Sequence, residues 1–388
     1  MDAQRITPGT QLIGTIPPAL GYVPRDSLVL VTVEVAPGGR EGVVGPSLRF
    51  DFGPLDVRDF TATAVRNCLE QVRTLTRADM IHPVVFSDPV ARFHLDWDER
   101  DPAHDEELGF IDVVSDALRR LRVVLEDSGY RVQDALWAGC SATGGLRRPE
   151  MTERNVDLAS AGPPQSGGGP GVAVAASFED SVRLPEPDAG LRAAVEALRR
   201  EAFTDGECAD GLLAEALLLE ARALMREEFL PPEDVLVPDP LAVLAVERLC
   251  DRGRDRDIIQ LLLSGDHPDF DPWSLRDLAP GEFLGYARGI LADGTAAAQA
   301  AGLSPHPPRQ ASLAESIEWL RRCAELVGAE ARADVLALLA WFEWARGRMS
   351  FAQHYAECAC EEQEDHRLAG MLRTAAGTGM PPRWLREL

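Results

Sequence analysis

A chain of 388 residues, 45% hydrophobic and 26% charged, is long enough for two domains, each with its own core. Its 63 Asp and Glu against 39 Lys and Arg leave a net charge of −24, which opposes phosphate backbones and anionic lipid, so neither nucleic acid nor a membrane surface is an expected partner. No apolar run approaches a membrane span, the start MDAQRITPGTQLIG lacks the order of a secretory signal, and seven scattered cysteines suit reduced core thiols; the expectation is an acidic, cytoplasmic protein.

The first strong element is SLVLVTVEV within residues 21–35. Val29, Val31, Val33 and Val35 alternate with Leu28, Leu30, Thr32 and Glu34, so both faces of a strand begin apolar and the strand is expected inside a sheet. PGGRE (37–41) reads as a turn, and Leu48, Phe50 and Phe52 alternating with Arg49 and Asp51 predict an antiparallel neighbour. Asp56 is placed to cap a helix carrying Phe60, Ala64, Cys68, Val72 and Leu75, which leads to the strand MIHPVVF. A second helix carries Leu108, Ile111, Val114, Leu118, Leu121 and Leu125 and leads to VQDALWA, 132–138. Strand, helix, strand, helix, strand is the rhythm of crossovers over a largely parallel sheet. Residues 141–171, crowded with Gly, Pro and Ser, read as a mobile loop, and GVAVAAS as one more short strand.

From about residue 185 helical periods replace alternation, for instance Leu212, Ala216, Leu219 and Ala223. Prolines in LPPEDVLVPDP, HPDFDPW and SPHPPRQ divide this part into helical hairpins. In one of them Gly347 ends the first helix, with Ala340, Ala352 and Ala359 as small residues where two helices approach and Leu336, Leu339 and Tyr355 as larger neighbours, a tetratricopeptide-like spacing found once. The predicted fold is therefore an α/β domain over residues 1–178, with a mixed, largely parallel sheet and flanking helices, followed by an all-helical, tetratricopeptide-like hairpin domain over 179–388.

The stretch LIGTIPPALGYVPRDSLVLV resembles the amino-terminal signature of an actinobacterial family known only as a domain of unknown function, DUF4192. The carboxy-terminal LALLAWFEWARGRMSFAQ and LAGMLRTAAGTGMPPRW resemble that family's closing helices and its Gly-x-Pro-Pro ending. Family members commonly carry a Cys-Cys-Pro run after the last crossover strand; WAGCSATGGLRRPE offers Trp137 and a single Cys140, so no thiol or metal chemistry carries over. The resemblance implies a fold and a lineage, without a mechanism.

Ligands of open α/β sheets collect beyond the carboxyl ends of parallel strands, which singles out Ser87 and Asp88 after MIHPVVF and Trp137 and Cys140 after VQDAL as candidate ligand-binding residues. By the same rule the turn Tyr22, Pro24, Arg25, Asp26 and Ser27, at the amino end of its strand, is expected to be only an entry into the sheet. HLDWDERDPAHDEE (94–107) lacks the glycine and alternation of a calcium loop. His354, Cys358, Cys360 and His366 have zinc-like types, but Cys358 and Cys360 point to divergent helix faces. With no nucleophile elbow, no H-E-x-x-H and no phosphate-cradling glycine loop, no catalytic residue, metal or cofactor is assigned. The leading functional expectation is a non-catalytic binding or scaffold protein using its helical domain on a protein partner; the alternative is an enzyme or sensor binding a small metabolite at the carboxyl-end crevice.

Overall fold

A strand apolar on both faces needs cover on both, and Ser27–Val35 (β1) receives it. In a computed structural model, the structure describes residues 10–35, 42–52, 69, 72–73, 76–90, 103–132, 135–139, 142–145, 148–154, 174–202, 213, 215–217, 219, 237–251, 255–264, 280–293 and 295–386. The predicted Asp56 helix lies almost wholly outside them. The chain divides into two compact units, Met1–Ser181 and Val182–Leu388.

In the first unit β1 is flanked by β2 (Gly42–Asp51) and β3 (Met80–Phe86), and the order continues through β5 (Leu136–Ala138), β6 (Ala142–Gly145) and β7 (Arg148–Arg154), with the two-residue β4 (Arg131–Val132) also on β3. One face, with Leu28, Leu30, Ile81 and Val85, packs on Val114, Leu118, Leu121 and Leu125 of α2 (Ala103–Asp127). The other, with Val29, Val31, Val84 and Phe86, packs on Leu12, Ile13 and Ile16 of α1 (Thr10–Leu20). Each side chain so buried contributes roughly 1.5–3 kcal/mol.

The sheet is mixed, and here the expectation of a largely parallel one is corrected. Among the described residues β1 pairs antiparallel with both β2 and β3, β5 with β6, and β6 with β7; the parallel pairings are those of β4 and β5 with β3. Because β1 stands antiparallel between them, β2 and β3 share one direction. Crossover rhythm fixes relative direction only for the strands it joins, and a hairpin partner slots between two of them with the opposite sense.

The loop expected at 141–171 is also corrected in its first part, since β6 and β7 form a hairpin there. Gly144, which reads as a loop signal, stands opposite Trp137, and a Cβ on it would lie 2.7 Å from the indole ring. Its glycine is a packing requirement of a strand under a large ring. Residues 155–173 lie outside the described part, and among the described residues of GVAVAAS, 174–177, Ala175 makes an isolated parallel bridge to Tyr22. VQDALWA is likewise two short strands rather than one.

The second unit is helical: α4 (Ala189–Ala202), α5 (Pro240–Asp251), α6 (Arg256–Leu263), α7 (Pro280–Asp293), α8 (Thr295–Ala300), α9 (Gln310–Cys323), α10 (Ala329–Ala345), α11 (Met349–Glu362), α12 (Arg367–Gly377) and α13 (Arg383–Arg386), after α3 (Phe178–Val182) at the boundary. α10 is its axis, touched by α5, α9, α11 and α12, and ALLAWFEWA is buried on every side. The hairpin predicted at Gly347 is present: the glycine sits at φ +81°, where its lack of a Cβ permits the turn, and Ala340, Ala352 and Ala359 are fully buried. Upstream, Leu213 and Leu217 are buried while Leu219 is exposed, so the buried stripe there runs one residue off the expected one.

Ion pairs tie these helices together. Arg199 of α4 grips Glu247 of α5 through two bonds of 3.0 and 2.8 Å, and Glu247 also accepts the Gly328 amide at the start of α10. Arg256 of α6 donates to Asp334 of α10 at 2.8 Å, and His366 reaches the same carboxylate at 2.9 Å. His366 is the N-cap of α12: its Nδ1 accepts the Ala369 amide, so its Nε2 carries the proton donated to Asp334.

Candidate functional site

The end of the sheet where β3 and β5 finish is assembled by register. Ser27 pairs with Phe86, Phe86 with Ala138, and Ala138 with Thr143, so four strands reach one line. Beyond it the Ser87 amide donates to the Ala138 carbonyl at 2.9 Å, and the Gly139 amide to Ala142 at 2.8 Å. Since β1 runs opposite to β3, its amino end lies beside the carboxyl end of β3. The ladder ends at the pair Ser27 and Phe86, so Asp26 and Ser87 are the next residues out from it at this end of the sheet.

The opening turn, expected to be only an entry into its strand, therefore lies at the same end of the sheet as Ser87 and Asp88. The Asp26 carbonyl accepts the Phe52 amide at 2.9 Å, and Ser27 Oγ donates to the Arg25 carbonyl at 2.6 Å while accepting Arg49 Nε at 2.9 Å. Tyr22 is buried edge-on against Phe178, and the Val23 amide bonds to Ala175. Asp26 holds φ +41°, a left-handed conformation that Asp tolerates better than most residues because its short side chain bonds locally. Its carboxyl is held above the usual range, first by burial and then by the negative charge of Asp88, which together outweigh the adjacent Arg25.

Ser87, 3% exposed, has an Oγ with no hydrogen-bond partner among the described residues, and Thr143, 2% exposed, has another on the opposite face of the sheet, in line with Phe86 and Ala138. Such a buried hydroxyl normally costs about 1–3 kcal/mol, a cost that a polar ligand reaching Ser87, next to Asp88, would relieve.

Of the four residues singled out by sequence, Ser87 and Asp88 stand at this end together. Trp137 is fully buried with Val90, Ile111 and Ala142, where it fills the core under Gly144. Cys140 lies outside the described residues.

Comparison with known proteins shows that the chain matches the family described as Domain of unknown function (DUF4192) over residues 9–269 and 291–383. It belongs to that family. No curated protein and no solved structure matches it.

For this DUF4192 chain the residue missed in the sequence is Asp26. Its own segment, GYVPRDS, reads as a strand entry, and only the pairing direction of β1 makes it a neighbour of Asp88. A signal did exist, in the hairpin: once β1 is antiparallel to β2, and β2 and β3 are linked by a crossover, β1 must oppose β3 if it lies between them.

Most of HLDWDERDPAHDEE lies outside the described residues, and the cysteine and histidine run falls on α11 and the start of α12. Cys358 Sγ lies 3.7 Å from His354 Nε2; burial, then Glu361 and Glu357, raise the thiol, and burial lowers the imidazole, so both stay neutral. His366 is committed to its capping and Asp334 bonds. Among the described residues no group of three or more His, Cys, Asp and Glu is placed to hold a metal ion, and no helix is long and apolar enough to cross a membrane.

Proposed function

We propose that the first unit binds a small polar ligand carrying a cationic nitrogen at the end of β3 and β5, held between Asp26 and Asp88 with the Ser87 hydroxyl as a third polar contact. The observation that carries this reading is the antiparallel register, whose end pair Ser27 and Phe86 brings Asp26 to the same end of the sheet as Ser87 and Asp88. Burial and the negative charge of Asp88 raise the proton affinity of Asp26, and an ammonium or guanidinium group would supply both a compensating charge and donors there. The net charge of −24 favours capture of such a ligand through the field of the whole protein.

The test is a calorimetric titration of short alkyl diamines and guanidinium compounds into the wild-type chain and into Asp26→Asn and Asp88→Asn. Saturable binding that both substitutions weaken about tenfold or more supports the site, the loss expected when a charge-assisted contact disappears. Binding indifferent to both substitutions, or no saturable heat at all, defeats it.

A second reading, protein docking by the helical unit, rests on its exposed apolar residues. Leu303 and Met380 are 61% and 50% exposed, and their segments are joined through the Trp344 indole bond to Met380 O and the Arg383 amide bond to Gly302 O. A tetratricopeptide-like pairing of α10 with α11 would present such residues to a partner. Co-purification of a partner that Leu303→Ser and Met380→Ser together abolish would favour this reading over the first.

A further inference from the structure

We propose that Arg49 of β2 and Ser27 of β1 form a clamp that fixes the backbone of Asp26 and so sets where its carboxyl meets a ligand, a role that rests on the cationic-ligand reading above. Arg49 is a positioning residue, acting on Asp26 through the Ser27 hydroxyl.

The register puts the parts in place. Ser27 pairs with Asp51 and Val29 with Arg49, so Arg49 stands diagonal to Ser27 on one face of the β1–β2 ladder, within reach of a long side chain. Its Nε donates to Ser27 Oγ at 2.9 Å, and Ser27 Oγ donates in turn to the Arg25 carbonyl at 2.6 Å, a short local bond of the kind serine makes to nearby backbone. Ser27 is fully buried, so this one hydroxyl spends its donor and an acceptor position on holding the turn. The Arg49 side chain is 20% exposed, and its Nη2 lies 2.6 Å from Asp51, which orients the guanidinium. On the other side, the Asp26 carbonyl accepts the Phe52 amide at 2.9 Å. Residue 26 is therefore held at both ends, through its own carbonyl and through the carbonyl that precedes it.

What the clamp holds is a conformation that Asp does not take by default. Among the described residues Asp26 is the one non-glycine at positive φ, +41°, and a left-handed residue keeps its place only where surrounding bonds over-determine it. In the extended or right-handed regions the Cα–Cβ bond would leave in another direction, and the carboxyl with it. Pairing with β3 does not supply the restraint, because the ladder ends at Ser27 and Phe86 and Asp26 lies beyond it. Arginine suits the task because its planar fork bonds a hydroxyl through Nε and a carboxylate through Nη2 at once. As a charge, by contrast, a guanidinium one side chain away from a cation site works against the ligand.

That opposition gives the test its sign. Putrescine, a short alkyl diamine, is titrated by calorimetry at constant ionic strength into the full chain as wild type, Arg49→Gln, Ser27→Ala, Asp26→Asn, the double variant of Ser27→Ala with Asp26→Asn, and the surface control Arg119→Gln. By charge alone, removing Arg49 should tighten binding of a dication or leave it as Arg119→Gln leaves it. The clamp predicts the reverse: Arg49→Gln and Ser27→Ala each weaken binding about three- to tenfold, the loss that follows one hydrogen bond, and Ser27→Ala costs less than about twofold when added to Asp26→Asn. Binding by Arg49→Gln as tight as wild type or tighter, or a fully additive loss in the double variant, overturns the clamp and leaves the ligand site standing; a wild type that binds no diamine removes both. A crystal structure of Ser27→Ala reads the clamp without ligand. Asp26 is expected to leave the left-handed region, and a φ still near +41° without the Ser27 hydroxyl overturns the proposal whatever the titration shows. Should Ser27→Ala not fold, Arg49→Gln, at the less buried of the two positions, is crystallised in its place and read in the same way.

Discussion

Leu30 is the sharpest place to test whether β1 is sealed on both faces. It is fully buried, stands between Leu48 of β2 and Pro83 of β3, and packs in the α2-side cluster, so no charged side chain lies directly opposite it. Val31 would be a poorer choice, because it faces His82, which offers a carboxylate a partner. Leu30→Ala should cost about 2–5 kcal/mol in lost transfer energy and cavity. Leu30→Asp adds a titrating term: a buried carboxyl must stay protonated well above its unfolded value near 3.9, and each pH unit costs about 1.4 kcal/mol, so pH 7 adds about 4 kcal/mol. The sign follows from the raised folded pKa. The introduced carboxyl is tolerated best in its protonated form, below about pH 4, and stability falls as pH rises until the folded pKa is reached. Against a typical domain stability of about 5–15 kcal/mol, this variant should lose the fold of the first unit at pH 7 and recover part of it at about pH 4.5. Urea unfolding of wild type, Leu30→Ala, Leu30→Asn and Leu30→Asp at both pH values measures this, with Leu30→Asn as the non-titrating reference. If Leu30→Asp unfolds like the wild type, or tracks Leu30→Asn at both pH values, β1 is not the sealed central strand described above.

Gly302 combines φ +70° with a Cβ position 2.0 Å from Trp344 Cη2, so Gly302→Ala should cost roughly 2–4 kcal/mol from backbone strain and overpacking, and a melting curve equal to the parent's would contradict that packing. At Asp334, burial raises the carboxyl, but hydrogen bonds from His366 and Arg256 prevail and hold it below its ordinary value. Its stabilisation is therefore present above the unfolded carboxylate pKa and lost as pH falls through the lower folded one, so Asp334→Asn should destabilise strongly at about pH 7 and much less near pH 3; an equal loss at both would count against the ionic network.

Much of the architecture was legible in the residues themselves. Alternation located β1 and the second half of β2, the apolar run MIHPVVF marked β3, helical spacing marked the apolar face of α2, and the glycine and alanines around Gly347 marked the α10–α11 hairpin, because side-chain periodicity follows directly from backbone geometry. The change from alternation near residue 177 to helical spacing after 185 likewise reflects which faces each segment must bury, and the two compact units meet at Ser181 and Val182. Ser87 and Asp88 were visible as residues closing a buried strand. What tertiary structure alone decided was direction and proximity. Periodicity reads the same whether a strand runs up or down, so only the register of β1 against β3 brought Asp26 to Ser87 and Asp88. Composition reads Gly144 as loop, and only the ring of Trp137 across the ladder explains it as strand. The net charge of the chain is strongly acidic, and only the packing of α9 and α11 on α10 brings Arg321 to Tyr355 and Arg348 to Glu343, since a charge count carries no distances.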